Sequence, residues 1–204
     1  MSDQLIIPDS AICRKATNLV KELSPDFLFN HCGRTFHFGG LLGQRERMKV
    51  DLELFYLGAI MHDLGLTHSC DKGCSFELDG ADAAEAFLLT NNYPNEKIEI
   101  IREAIMLHTA VEAESKSPEI ALVHFGAGFD VGHFNIEDLP SERVQEILEA
   151  YPRLGFKKAF IEVIENDAKR KPNTLSDRLL KWGIDKMIIK SSENFDKRRS
   201  LPNG

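Results

Sequence analysis

The chain has 204 residues, 43% hydrophobic and 28% charged, with four cysteines and a formal charge of −7. That balance excludes a disulfide miniprotein, a collagen-like chain and a mostly disordered chain. It suits one soluble domain that buries roughly 70% of the surface its unfolded chain would expose.

The start, Met1-Ser2-Asp3-Gln4-Leu5-Ile6-Ile7-Pro8, lacks the basic and long apolar stretches of a secretory leader. No apolar run reaches the roughly 18 residues that a membrane span needs. Asp9-Ser10 can cap a helix with its apolar positions at Ile12, Ala16, Leu19, Val20 and Leu23. Ser24-Pro25 opens a second helix through Phe27, Leu28, His31, Arg34, Thr35 and Phe38, which Gly39-Gly40 is expected to end. Asp51 caps a third, apolar nearly all round from Leu52 to Met61 and therefore buried on most sides. It closes at His62-Asp63-Leu64-Gly65, where Gly65 is expected to relax the backbone.

Residues 67–77 read as a loop, 81–92 as a helix, and Asn95 as the cap of a helix over 96–109. Pro118 begins a helix through Ile120, Val123, His124 and Ala127 to Asp130. Pro140-Ser141 and Tyr151-Pro152 bracket a short one, and 156–170 and 175–189 are the last two. No alternating runs bounded by hairpin turns occur, so the predicted fold class is all-α. The predicted organisation is a single domain over 1–190, with a core at about 24–130 and C-terminal helices over 141–190. A flexible basic tail follows at 191–204. From Asp167 on, ten Lys/Arg face five Asp/Glu, so the remainder, with 15 against 27, carries a net −12. A body this acidic predicts no nucleic-acid backbone as partner. Cys13, Cys32, Cys70 and Cys74 have no framework spacing. Without an export signal they read as reduced thiols in a cytoplasmic protein.

Ionisable residues stand where apolar helices should bury their faces. His31 lies among Phe27, Phe29, Phe36 and Phe38, His62 and Asp63 close the most apolar helix, His108 follows Ile105-Met106-Leu107, and Asp130 follows Phe129. Taken singly, each also reads as a core histidine or a cap, and His37, His68 and His133 keep that reading. A buried carboxylate needs a partner. With no matching set of buried Lys/Arg in those helices, the joint pattern points to a divalent metal.

The ordered set His31-Cys32-Gly33-Arg34, His62-Asp63 and Asp130 resembles the H…HD…D signature of the HD-domain metal-dependent hydrolases. The resemblance implies an all-α fold with metal ligands His31, His62, Asp63 and Asp130. Further stretches resemble the cyanamide hydratase-like branch: Asn30 to Thr35, His62 to Thr67, Phe76 to Ala81, Ala104 to Thr109, Gly128 to Val131 and Tyr151 to Lys157. That branch implies a zinc enzyme adding water to the nitrile of cyanamide to give urea, with Fe2+, Mn2+ or Ni2+ as other metals the donors suit.

Binuclear relatives carry a His where this chain has Phe76, so one metal is expected. Nucleotidases and HD-GYP phosphodiesterases carry Glu or Lys where this chain has Leu66, which weakens a phosphohydrolase reading. His108 is expected at substrate or water, Asp63 as an alternative base, and Thr67 as an added hydroxyl. Arg34 is expected at substrate, or alternatively in a salt bridge, with Leu66, Phe76 and Phe38 as pocket walls. Phe27 is a further wall. Glu77 and Asp79 read as helix N-terminal charges or as groups orienting a ligand His. The stretch 68–74 reads as a mobile loop, with a structural zinc on His68, Cys70 and Cys74 as the rival. The expected partner is a small-molecule substrate, with no membrane and an open place for a homo-oligomer. The alternatives are an HD-type phosphohydrolase on a nucleotide or other small phosphoester, and a silent HD ligand-binding module.

Overall fold

The computed structural model describes residues 6–132 and 139–199, with side chains described through Ser191. The expectations for Met1–Leu5, for His133 and for the last five residues fall outside the described residues. Helix α1 spans Ala11–Leu23, α2 Asp26–Arg45, α3 Leu52–Met61, α4 Phe76–Thr90, α5 Asn95–Leu107 and α6 Pro118–Gly132. Short 3-10 turns stand at Leu64–Leu66 and Val111–Ser115. Helices α7 Ser141–Ala150, α8 Phe156–Arg170, α9 Leu175–Lys181 and α10 Ile184–Arg199 complete the chain. Among the described residues there is no strand, and the fold is all-α. No helix among them is long and apolar enough to cross a membrane.

The starts follow the expected chemistry. The Ser10 hydroxyl accepts from the Cys13 amide, and the Asp51 carboxylate accepts from the amides of Glu53 and Leu54. Each cap is worth about 1 kcal/mol to its helix. Helix α3 is the hub, buried at every position from Leu54 to Met61. Phe36, Phe55, Ile60, Ile101, Ile105 and Val123 close a core around it. A second cluster of Leu28, Phe76, Phe156, Phe160 and Ile164 ties the C-terminal helices to α2.

Four expectations are corrected. Helix α2 does not end at Gly39-Gly40 but runs on to Arg45. Gly39 lies where a Cβ would overlap the Leu122 carbonyl oxygen, and Gly126 where one would overlap that of Thr35. The glycines let α2 and α6 touch backbone to backbone. Helix α4 begins at Phe76 rather than Ala81, which places Phe76, Glu77 and Asp79 in its first turn. The segment 175–189 is two helices, broken at Gly183 with φ +83°. Finally, the chain stays helical beyond Ser191, through Arg199.

Candidate metal centre

His31 sits on α2, one turn and a half in from its start. His62 is the residue that closes α3, still helical at φ −60° and ψ −30°. Asp63 then leaves the helix at φ −104° and ψ 14° to begin the turn Leu64–Leu66. That bridge conformation lets two sequence neighbours face one point. Gly65 does not relax the backbone there. It is needed because any Cβ would overlap the Phe76 carbonyl and crowd the Gly80 amide, so the turn lies directly on α4.

Three donors converge. His31 Nε2 and His62 Nε2 are 3.2 Å apart, and Asp63 Oδ2 lies 3.5 Å from the first and 3.4 Å from the second. All three residues are buried, at 1%, 0% and 2% exposure. The tautomers follow from their other partners. His31 Nδ1 lies 2.7 Å from Asp130 Oδ2, and His62 Nδ1 lies 2.8 Å from the Ala59 carbonyl. Carboxylates and carbonyls only accept, so each Nδ1 carries the proton and each Nε2 turns a lone pair to the common point.

Asp63 Oδ2 is buried there with no hydrogen-bond partner. Two lone pairs and an orphaned carboxylate oxygen in a dry site call for a cation. The donor set fits a divalent metal, and among the described residues it is the one His/Cys/Asp/Glu group so arranged. Without a metal the cluster takes up a proton. Burial opposes a charge on His62, but the adjacent Asp63 carboxylate, with Cys32, holds its pKa well above the usual imidazole value. Burial also opposes the charge on Asp63, yet His62 keeps that carboxyl below the usual carboxylate range. Burial pushes His31 down, against the pull of Asp130.

Asp130 is not gathered with these three. It stands behind His31, on the Nδ1 side, with both oxygens engaged. Arg34 donates from Nε to Oδ1 at 2.7 Å and from Nη2 to Oδ2 at 2.8 Å, and Arg153 donates from Nη1 to Oδ1 at 2.8 Å. In this arrangement Asp130 orients His31 rather than offering the metal an oxygen. Burial opposes its charge, but Arg34 and Arg153 hold its carboxyl well below the usual range. Contrary to the sequence reading, α2 does carry a buried cation: Arg34 is fully buried. Its remaining nitrogen donates to the carbonyls of Tyr151 and Pro152. Arg34 is therefore a structural tie and is not aimed at a substrate. The salt-bridge alternative describes it.

His108 completes the ring of imidazoles. It caps the C-terminus of α5, its Nδ1 donates to the Ile105 carbonyl at 2.6 Å, and its Nε2 lies 3.7 Å from Asp63 Oδ1. Burial, then the neighbouring His62, lowers its pKa to about 4, so it is neutral near pH 7. The Phe76 ring lies edge-on to His108, with ring centroids 5.6 Å apart, and Leu66 packs in the same cluster as Phe76. Phe27 also packs in that cluster.

Other expected site residues lie elsewhere. Phe38, two helical turns beyond His31, packs on Phe129 in a separate cluster with Leu41 and Val144, so it is no pocket wall. The Thr67 hydroxyl donates to the Leu64 carbonyl at 2.6 Å and closes the turn instead of facing the cluster. Asp79 orients no histidine. It accepts from the Lys72 amide and from Lys171. Glu77 Oε2 is buried without a partner.

The 68–74 loop is anchored, not mobile. Lys171 Nζ lies 2.9 Å from Asp71, 3.2 Å from Asp79 and 3.0 Å from Asp167, and Arg170 pairs with Asp71 and Asp167. Cys70 is buried and Cys74 exposed, and His68, Cys70 and Cys74 form no metal-ligating group.

The residues that sequence reasoning missed back the site. Phe156 stacks on His31 at 4.9 Å between centroids, and the Arg34 and Arg153 guanidinium carbons lie 5.2 and 4.9 Å from the Phe156 ring centre. Arg153 and Phe156 sit in the run Tyr151 to Lys157, which the sequence singled out without giving it a task.

A helical bundle that buries two imidazole lone pairs against an unpartnered carboxylate defines a metal-binding domain. The HD domain model matches residues 28–185, well over half of the chain. The chain belongs to the HD-domain family, whose members are generally metal-dependent hydrolases that bind divalent metals. It is also similar to an uncharacterized protein of Clostridium beijerinckii, 28% identical over 75 residues, which are 37% of this chain. The matched stretch spans about half the length of that protein, 48% of it.

Proposed function

We propose that this chain is a mononuclear hydratase in which His31, His62 and Asp63 hold one zinc ion, and that its substrate is a small neutral nitrile, cyanamide, converted to urea. The observation that carries the metal is the orphaned Asp63 Oδ2 between two imidazole lone pairs. The spacing is compatible with zinc. Donors at about 2.0–2.1 Å from a tetrahedral centre stand about 3.3–3.4 Å apart, and the three separations here are 3.2, 3.4 and 3.5 Å. Phe76 beside His108, in place of a further ligand, favours one ion.

The neutral substrate is favoured by what Arg34 does. The one guanidinium that the sequence offered to a phosphate is engaged by Asp130 and two carbonyls. A phosphoester would need cationic donors in its place.

When bound, the metal acidifies water and polarises the substrate. The protein's own groups do the rest. Asp130 fixes the His31 tautomer. Leu66, Phe76, Phe156 and Phe160 exclude solvent. His108 Nε2, with its Nδ1 proton pinned, accepts the proton that water loses as oxygen bonds to the nitrile carbon and returns it to the nitrile nitrogen. The product isourea tautomerises to urea, so the net reaction is one water added and nothing released.

The test is urea formation from cyanamide before chelation, after it and after zinc return. Urea that appears, disappears on chelation and returns with zinc is expected. Zinc-loaded protein that makes no urea but cleaves a nucleoside monophosphate would replace this reading with the phosphohydrolase one. Loaded protein inert to both would leave a ligand-binding module.

A further inference from the structure

Helix α6 reaches the site twice. Asp130 near its end holds His31 from behind. Six residues earlier, His124 lies outside the metal cluster, its side chain 17% exposed. Its Nδ1 donates to the backbone carbonyl of His108 at 2.9 Å, and its Nε2 faces Glu114 at 3.7 Å.

That carbonyl is one that a helix cannot satisfy by itself. His108 is the C-cap of α5, and the last carbonyls of a helix have no amide above them. The His108 side chain is fixed separately, by its own Nδ1–H on Ile105. Backbone and ring are thus each held by one hydrogen bond, and the backbone bond comes from a different helix. Helix α6 is itself fixed against α2 by the Gly39 and Gly126 contacts, which leave no room for sliding.

We infer that His124 is a positioning residue: it caps α5 from α6, holds the His108 backbone and thereby keeps His108 Nε2 facing the metal cluster. The inference rests on the reading that His108 handles the proton in the reaction. It gives α6 a second task beside Asp130. A packing role alone would be met by any ring of similar size. A positioning role needs a donor at Nδ1, which Asn can supply from its amide and Phe cannot.

The experiment uses the full-length zinc-loaded protein with His124→Phe, His124→Asn and His108→Ala. Three readouts are taken: kcat and KM for cyanamide, bound zinc, and the imidazole nitrogen NMR signals of His108. For His124→Phe, kcat should fall about tenfold, the size of loss typical when a group supporting a site residue is removed. KM and zinc content should hold, and the His108 signals should move away from the pinned Nδ1–H form. His124→Asn should restore kcat to within about threefold and return the His108 signals. Wild-type kcat and unmoved His108 signals in His124→Phe overturn the inference, as does an Asn variant no better than the Phe one. His108→Ala separates the two ideas. If it destroys turnover while His124→Phe does not, the inference fails and the reading of His108 stands. If it leaves turnover intact, the reading of His108 fails, and the NMR signals alone decide whether His124 sets the ring.

Discussion

Two of the buried carboxylate sites among the described residues are neutralised in opposite ways. Around Lys171, Asp71, Asp79 and Asp167 find an ammonium within 2.9–3.2 Å, with Arg170 outside and the Ser176 hydroxyl on Asp167. Around Asp63 there are only imidazoles, those of His62 and His108 turning Nδ1 to backbone carbonyls, and Oδ2 has no hydrogen-bond partner. The first cluster is closed by the chain's own cation and acts as a tie between the 67–75 loop and α8. The second holds at most a proton on His62, which a cation from outside can displace. A buried carboxylate is therefore not a functional signal by itself. The signal is a buried carboxylate whose own protein has left it unsatisfied.

The largest test of that contrast is His62→Ala. Bound zinc should fall from one per chain to below about 0.1 and turnover should drop roughly 1,000-fold or more, while circular dichroism still reports a helical fold. Stoichiometric zinc in this variant, measured by elemental analysis, would place the metal elsewhere.

Lys171→Met should do the reverse. It leaves three carboxylates without their ammonium and should lower unfolding free energy by about 3–5 kcal/mol, read from the urea midpoint. Saturating zinc adds about 2.7 kcal/mol at a hundred times its Kd. It should raise the stability of this variant as much as that of the wild type, since the two clusters are separate.

Asp130→Asn comes next. Asn can no longer carry the charge that Arg34 and Arg153 meet, and its grip on the His31 Nδ1 proton is weaker. Zinc affinity should fall about 10–100-fold, measured by competition with a chromogenic chelator. A loss as complete as that of His62→Ala would instead mark Asp130 as a ligand.

Acid gives the smallest and most graded comparison. In the metal-free chain His62 holds a proton, its folded pKa raised by Asp63, and the metal must expel it. Below that pKa, zinc affinity should weaken about tenfold for each pH unit lost. The Asp71 carboxyl is held below its usual range by Lys171 and Arg170, although burial opposes this. Its stabilising share is thus complete above the unfolded value near 3.9 and is lost only as pH falls through the lower folded one. Zinc should therefore leave at a higher pH than the one at which the helical signal melts. Coincident titrations would show that the two clusters are one cooperative unit.

Most of the helices were legible in the sequence because caps and apolar spacing are local. Ser10, Asp51, Pro118 and Ser141 opened helices where such residues do. The glycines were misread because their reason is distant: Gly39 meets Leu122, and Gly65 meets Phe76 and Gly80. Neither Lys171 nor Arg170 could be told from the basic residues around it, since their partners Asp71 and Asp79 lie about 90–100 positions away.

The sequence by itself determined an all-α chain and set ionisable residues into its most apolar stretches, because periodicity and capping are written residue by residue. His31, His62, Asp63 and Asp130 were all legible as a set. Tertiary structure alone decided which of them face one another. It turned Asp130 to the back of His31, tied Arg34 to it, moved Phe38 and Thr67 out of the site, and brought in Arg153, Phe156 and His124. The reason is physical: a donor atom's role depends on what the other side of its residue touches, and those partners come from helices far along the chain.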